Sequence, residues 1–115
     1  MSQEITVNEI NRWHQSAMDL ATEADRISSH GRRHNDTAVR LYEQAWRLER
    51  DAARGTEVEP SRTVLYRSAS SLAYCAGDIV ECLILAIDGL VGDGPKEIKN
   101  EIAEVARKAI RRIGR

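Results

Sequence analysis

Two segments of the chain carry small residues seven positions apart, with large apolar residues between them. Ala38 and Ala45 occupy these positions in the first segment, and Cys82 and Gly89 occupy them in the second. Residues seven apart lie on the same face of an α-helix, and a small residue there lets a neighbouring helix approach closely. The spacing therefore predicts two helices that each pack tightly against another helix.

Length and composition limit the class of protein. The chain has 115 residues, of which 42% are hydrophobic and 30% are charged, with a formal net charge of −1. These values predict a single soluble domain over residues 1–115, without a global field that favours nucleic acid or membranes. The N-terminus has no basic region followed by an apolar run, so we expect a cytoplasmic protein. Strand-type alternation is nowhere sustained, which predicts an all-α fold.

Apolar residues spaced by threes and fours predict five helices. We expect a helix pair at about 7–54, a second pair at about 60–92 and a helix at about 95–113. The expected inward-facing residues are Ile10, Trp13, Ala17, Leu20, Ala24 and Ile27 in the first helix, Ala38, Leu41, Ala45, Leu48 and Ala52 in the second, Val64 or Leu65, Ala69, Leu72 and Ala73 in the third, and Ile98, Ile102, Val105, Ala109 and Ile113 in the fifth.

Capping residues predict where these helices begin and end. Thr6 and Glu9 have the spacing of a capping box, and Asp36 is a good N-cap for the second helix. Pro60 or Ser61 opens the third helix, and Pro95 is expected as the first residue of the fifth. The sequence from residue 77 to 78 is Gly-Asp, which predicts a C-cap followed by an N-cap.

The predicted fourth helix is apolar around nearly its whole circumference. Ile79, Val80, Leu83, Ile84 and Ile87 point in different directions and cannot share one set of neighbours. Such a helix is either buried on all sides or meets a second chain. In a chain this short we expect an uncovered strip, and therefore a homodimer with a symmetric two-fold contact or a tight complex.

The segments 38–49 and 77–90 resemble the second helix of a tetratricopeptide repeat, seen twice. Tyr66, Ala69, Ser70 and Ala73 match the large and small positions of that family's first helix. The resemblance implies two antiparallel helix pairs and a capping helix, with a concave groove lined by the first and third helices. It also implies a non-catalytic module, without a cofactor, that binds a protein or peptide partner.

A second, narrower resemblance covers residues 59–73 and 89–98. These segments are similar to a family of short uncharacterised bacterial proteins. This likeness implies a bacterial cytoplasmic protein with a tetratricopeptide-like fold, and it implies no activity.

Four polar residues of the predicted third helix are candidates for partner binding: Arg62, Tyr66, Arg67 and Ser71. Arg62 and Tyr66 are four apart, as are Arg67 and Ser71, so each pair forms a ridge along the helix. An Arg and a hydroxyl in a groove can hold a peptide carboxylate or carbonyl. The family resemblance places Arg67 at a basic clamp position, and Ser71 where those repeats have Asn.

Ordinary surface ion pairs are the alternative role for these arginines. Arg62 and Arg67 can pair with Glu57, Glu59 or acids of the first helix, and exposed pairs of this kind contribute little to stability. Spacing alone leaves both roles open.

The C-terminal helix suggests a second function class. Residues 95–115 hold seven Lys or Arg and three Glu, whereas residues 78–94 hold four acids and no base. A small regulatory or antitoxin-like protein that contacts nucleic acid through this helix is therefore the alternative function. No aromatic residue lies among these cations in the sequence, so we expect a solvated basic face instead.

Sequence motifs for metal binding or catalysis are weak. His30 and His34 are four apart, but Gly31 lies between them and no Glu or Cys completes a ligand set, so we expect two solvated loop histidines. No Ser–His or Cys–His motif and no glycine-rich phosphate loop occurs in the sequence. Cys75 and Cys82 lie among core-type residues and are expected to be reduced and buried.

Overall fold

The computed structural model describes residues 5–28 and 35–114, which form five helices and no strand. The helices are α1 (Val7–Ser28), α2 (Asp36–Arg54), α3 (Ser61–Ala76), α4 (Ile79–Val91) and α5 (Lys96–Ile113). The predicted all-α class is confirmed for this part of the chain. The predicted loop histidines, His30 and His34, lie outside the described residues. None of the five helices combines the length and apolarity needed to cross a membrane.

Two helix starts show how side chains satisfy free backbone donors. At α1, the Thr6 hydroxyl accepts a hydrogen bond from the Glu9 amide at 3.1 Å, as the predicted capping box requires. At α2, the N-cap is Asn35 and not Asp36. Its side-chain oxygen accepts from the amides of Thr37, at 2.9 Å, and Ala38, at 3.2 Å. The predicted cap was wrong because Asn35 already occupies the capping geometry, so Asp36 becomes the first helical residue.

The junction between α3 and α4 differs from the prediction in one respect. Gly77 ends α3 with φ +82°, the left-handed conformation that glycine adopts without a steric penalty. Asp78 precedes α4 but makes no side-chain cap. Its carboxylate instead accepts a hydrogen bond from the Trp46 indole nitrogen at 2.8 Å, because α2 passes beside this turn. Pro95 was predicted as the first residue of α5 but is its N-cap residue, and the helix begins one position later, at Lys96.

Each helix packs against the next one along the chain, and α3 also contacts α5. Small residues spaced seven positions apart were predicted to let neighbouring helices approach closely. Of these residues, Ala38, Ala45 and Cys82 are buried. At Gly89, an added β-carbon would lie 2.8 Å from Ile102 Cδ1 and 2.9 Å from Tyr66 Cβ. The backbone of α4 therefore touches α3 and α5 directly at this glycine.

The predicted inward residues are buried or half-buried except Ile113, which lies in the last turn of α5 and is exposed. Cys75 is exposed and Cys82 is buried, and both are free thiols. Cys75 was expected in the core, but the buried residues Leu72 and Ala76 lie on another side of α3.

Candidate binding groove between the first and third helices

An apolar pocket of about 300 Å³ lies between the first turns of α1 and α3. The residues between α2 and α3 form its third side. Its lining comprises the apolar side chains Val7, Ile10, Val58, Val64 and Leu65 and the polar side chains Asn11, His14, Thr56 and Ser61. Pockets that are mainly apolar with a few polar groups are the usual form of a ligand site.

Helical spacing explains why these side chains converge. Val7, Ile10 and His14 are three and four residues apart in α1 and therefore share one face of that helix. Ser61 and Leu65 repeat the pattern at the start of α3. Both faces line the pocket, and the segment that joins α2 to α3 contributes Thr56 and Val58 to its lining.

His14 connects this pocket to a buried carboxylate on α2. Its Nδ1 atom lies 2.8 Å from Oε1 of Glu49, and the Glu49 side chain is fully buried whereas 44% of the His14 side chain is exposed. The second carboxylate oxygen, Oε2, is buried and makes no hydrogen bond of standard geometry. The nearby Ser68 hydroxyl nevertheless stabilises the charged form. Burial of an incompletely paired carboxylate costs stability.

Burial also sets the protonation behaviour of this pair. Removal of the Glu49 carboxylate from water raises its pKa above the usual value of 4.5, and the interactions with Ser68 and His14 oppose the shift only in part. With Nδ1 bound to Glu49, the imidazole ring is held in one orientation, and its Nε2 atom is available to a ligand. The arrangement therefore presents one oriented polar group beside an apolar pocket.

One sequence signal for this site lies outside the predicted candidate residues. Glu49 lies four residues after Ala45 and three before Ala52, so it occupies an inward position of the α2 stripe. A charged residue at such a position requires a partner in the core. The identity of that partner, 35 residues away on α1, is visible only in the fold.

No protein-family model matches the chain, and no curated protein or solved structure is significantly similar to it.

Two of the four predicted partner-binding residues lie towards α4. The Arg62 guanidinium donates from Nη2 to the Asp88 carbonyl at 2.9 Å and lies over the Tyr66 ring, 4.8 Å from its centroid. Its Nη1 atom is 3.9 Å from Glu59 Oε2. Tyr66 is buried. These contacts join α3 to the end of α4, and neither residue lines the pocket.

The other two lie further along α3. The Arg67 guanidinium donates from Nη1 to Glu101 Oε2 of α5 at 2.6 Å, so its partner is an acid of the last helix. Ser71 lies one turn later and is half-buried. Their role in partner binding stays a prediction.

A second polar cluster contains the basic residues of α5. Lys108, Arg111 and Arg112 line a shallow pocket of about 320 Å³ together with Tyr74 of α3. The Arg112 guanidinium lies 5.3 Å from the centroid of the Tyr74 ring and donates to the Tyr74 carbonyl at 3.3 Å. The fold thus places an aromatic ring among cations that have none beside them in the sequence. Within residues 5–28 and 35–114, no group of three or more His, Cys, Asp or Glu could hold a metal ion.

Proposed function

We propose that this protein is a non-catalytic, tetratricopeptide-like module that binds a peptide segment of a partner protein in the bacterial cytoplasm. The observation that carries the proposal is the apolar pocket between α1 and α3, with His14 held at its side by the buried Glu49. A groove lined by the first and third helices is also what the family resemblance implies.

The pocket's size and chemistry define the expected ligand. A volume of about 300 Å³ lies at the lower end of the range for ligand sites and suits one large aliphatic or aromatic side chain with its backbone. The His14 ring, Asn11 and Ser61 are positioned to bond the polar backbone groups of such a peptide. We therefore expect an apolar anchor residue in a short extended or helical segment.

Arg67 and Ser71 extend the proposed binding surface along α3. Arg67 can exchange its exposed partner Glu101 for a ligand carboxylate at small cost, since the two side chains are 36% and 59% exposed. Tyr66 and Arg62 support this surface from beneath, through their contacts with α4.

A peptide-selection experiment tests the proposal. The full chain, immobilised, is used to select from a displayed library of random peptides, and affinities are measured by fluorescence anisotropy. We expect enriched peptides to share an apolar anchor, and Val64→Glu to weaken their binding by about tenfold or more. Val39→Glu, the same change at another half-buried position, on α2 and outside the pocket lining, is the matched control.

The outcomes separate this function from its alternative. Failure to enrich any sequence, or equal affinities of the two Val→Glu variants, would reject the groove as a peptide site. If binding to single-stranded RNA or duplex DNA is instead found, and it falls steeply with salt, the basic cluster of Lys108, Arg111 and Arg112 would be the functional site.

A further inference from the structure

One side of α4 exposes four large aliphatic side chains in a row. Val80, Ile84, Ile87 and Val91 are 66%, 43%, 59% and 77% exposed. Their spacing of four, three and four residues places them on a single face. The opposite side of α4 is buried against the core. We call these four residues the α4 strip, and monomeric proteins rarely leave such a continuous apolar strip in water.

The adjacent side of α5 continues this apolar surface. Glu101 and Arg112 contact α3, and Ile102 is buried, so these residues mark the side of α5 that faces α3 and the core. Ala103 and the exposed Ile110 lie further around α5, in the direction away from α3. Because α5 packs on both α3 and α4, this remaining side adjoins α4.

The two long edges of this face carry opposite charges. Glu81 and Asp88, seven residues apart, form one edge beside the α4 strip, next to the buried Leu85 and on the side where Arg62 of α3 donates to the Asp88 carbonyl. Lys96 and Arg107, eleven residues apart on α5, form the other edge just outward of Ala103 and Ile110. The face therefore runs from an acidic edge, across aliphatic side chains and the half-buried Lys99 of α5, to a basic edge.

The positions of the two edges along the helices follow from the contacts of α4 with α5. Gly89 lies against Ile102, and Gly77 lies near Arg112, so α4 and α5 run antiparallel. At about 1.5 Å per residue, Glu81 is about 5 Å along the axis from Arg107, and Asp88, beside Gly89, is about 10 Å along the axis from Lys96.

We propose that a second copy of this chain covers this face, with a two-fold axis that runs between α4 and α5 and parallel to them. This operation places each α4 against α5 of the other copy, so that four helices surround the aliphatic side chains. It also brings the acidic edge of one copy against the basic edge of the other, at both sides of the contact. A two-fold axis perpendicular to the helices would instead place acids against acids, and charge complementarity selects the first arrangement.

Lys96 and Arg107 of the basic edge are exposed, and Glu81 and Asp88 of the acidic edge are half-buried. Arg107 pairs with Glu104 of its own helix at 2.8 Å, but both side chains are more than half exposed and the pair can be exchanged. The peptide pocket between α1 and α3 does not include any residue of α4 or α5, so this proposal stands independently of the proposed function.

Charge reversal of each edge tests the arrangement. The acidic edge is reversed by Glu81→Lys/Asp88→Lys and the basic edge by Lys96→Glu/Arg107→Glu, each in the full chain. We expect the unaltered protein to have twice the 12.9 kDa chain mass in light scattering at micromolar concentration. Each reversed variant alone should dimerise about tenfold or more weakly, because like charges then meet at both edges. An equimolar mixture of the two should recover the dimer, which native mass spectrometry identifies by its mixed mass.

A third variant, Ile84→Gln/Ile87→Gln, tests the aliphatic centre and should be monomeric, with circular dichroism confirming that all variants stay helical. A monomeric unaltered protein would overturn the proposal. A mixture that remains monomeric, or a dimer that persists in the Gln variant, would likewise exclude this interface.

Discussion

Two regions of the molecule depart from the usual placement of side chains: a charged group is buried between the first two helices, and aliphatic groups are exposed on the fourth helix. Between α1 and α2, the carboxylate of Glu49 is fully buried and has one bonded oxygen. On α4, four aliphatic side chains lie in solvent. Charged residues are seldom buried, and rows of aliphatic residues are seldom exposed, so each region carries a cost that the folded monomer does not recover.

The surroundings of each region indicate what recovers that cost. Glu49 holds a histidine beside a half-open apolar pocket, which suits a small segment of a ligand. The α4 strip lies on an open face with charged edges, which suits another folded surface. The difference favours the two separate contacts that we propose for the two halves of this chain.

The largest expected effect concerns the buried side of α4. Gly89→Leu should destabilise the protein by about 3 kcal/mol, because even a β-carbon would overlap Ile102 and Tyr66 Cβ, which cannot move freely. Ile87→Leu, on the exposed strip two residues earlier, should change stability by less than about 0.5 kcal/mol. Urea unfolding of both variants measures the difference. Similar stabilities would show that α4 has no tightly packed side.

A smaller effect is expected at the buried carboxylate. His14→Ala should destabilise the protein by about 1–3 kcal/mol at neutral pH, since Glu49 then loses its hydrogen-bond partner while it remains buried. Asn11→Ala, one turn earlier and also in the pocket lining, is the control and should have an effect below about 0.5 kcal/mol. Equal losses in the two variants would contradict a stabilising role for the pair.

The stability lost through the buried carboxylate of Glu49 should increase as the pH rises. Burial raises the pKa of Glu49 above its usual value of 4.5, so the folded state binds the proton more tightly than the unfolded state. The stability that this tighter proton binding provides is fully present below the pKa of Glu49 in the unfolded state. It is lost as the pH rises through the pKa of Glu49 in the folded state. His14→Ala should therefore lose stability with rising pH relative to His14→Ala/Glu49→Gln, which has no charge at residue 49. A constant difference across the pH range would exclude a raised pKa.

The smallest effect on the monomer is expected at the α4 strip. Ile84→Gln/Ile87→Gln should change the unfolding free energy of the monomer by only about 0.5 kcal/mol per site, because both side chains are already exposed. The variant should nevertheless abolish any rise of Tm with protein concentration, since that rise reports subunit association. Thermal unfolding at a series of concentrations makes the comparison. A concentration-dependent Tm in the variant would mean that copies associate elsewhere.

Local pattern was enough to predict the helices of this protein. The spacing of apolar residues predicted five helices near their observed positions, because burial of one face repeats every three to four residues. Gly77 predicted a C-cap because a left-handed residue ends many helices, and the structure has φ +82° there. The all-round apolar composition of α4 predicted an uncovered strip, since a chain of this length has too few helices to surround one of its own.

Only the tertiary structure decided which polar groups meet. Asp78 bonds Trp46 instead of capping α4, Arg67 bonds Glu101, and Glu49 bonds His14. These partners are between 32 and 35 residues apart. Each pairing depends on how two helices are rotated and shifted against each other. Local spacing specifies which face of a helix turns inward. The residue on the neighbouring helix that this face contacts is set by the packing of the two helices, and a shift of one turn would select a different partner.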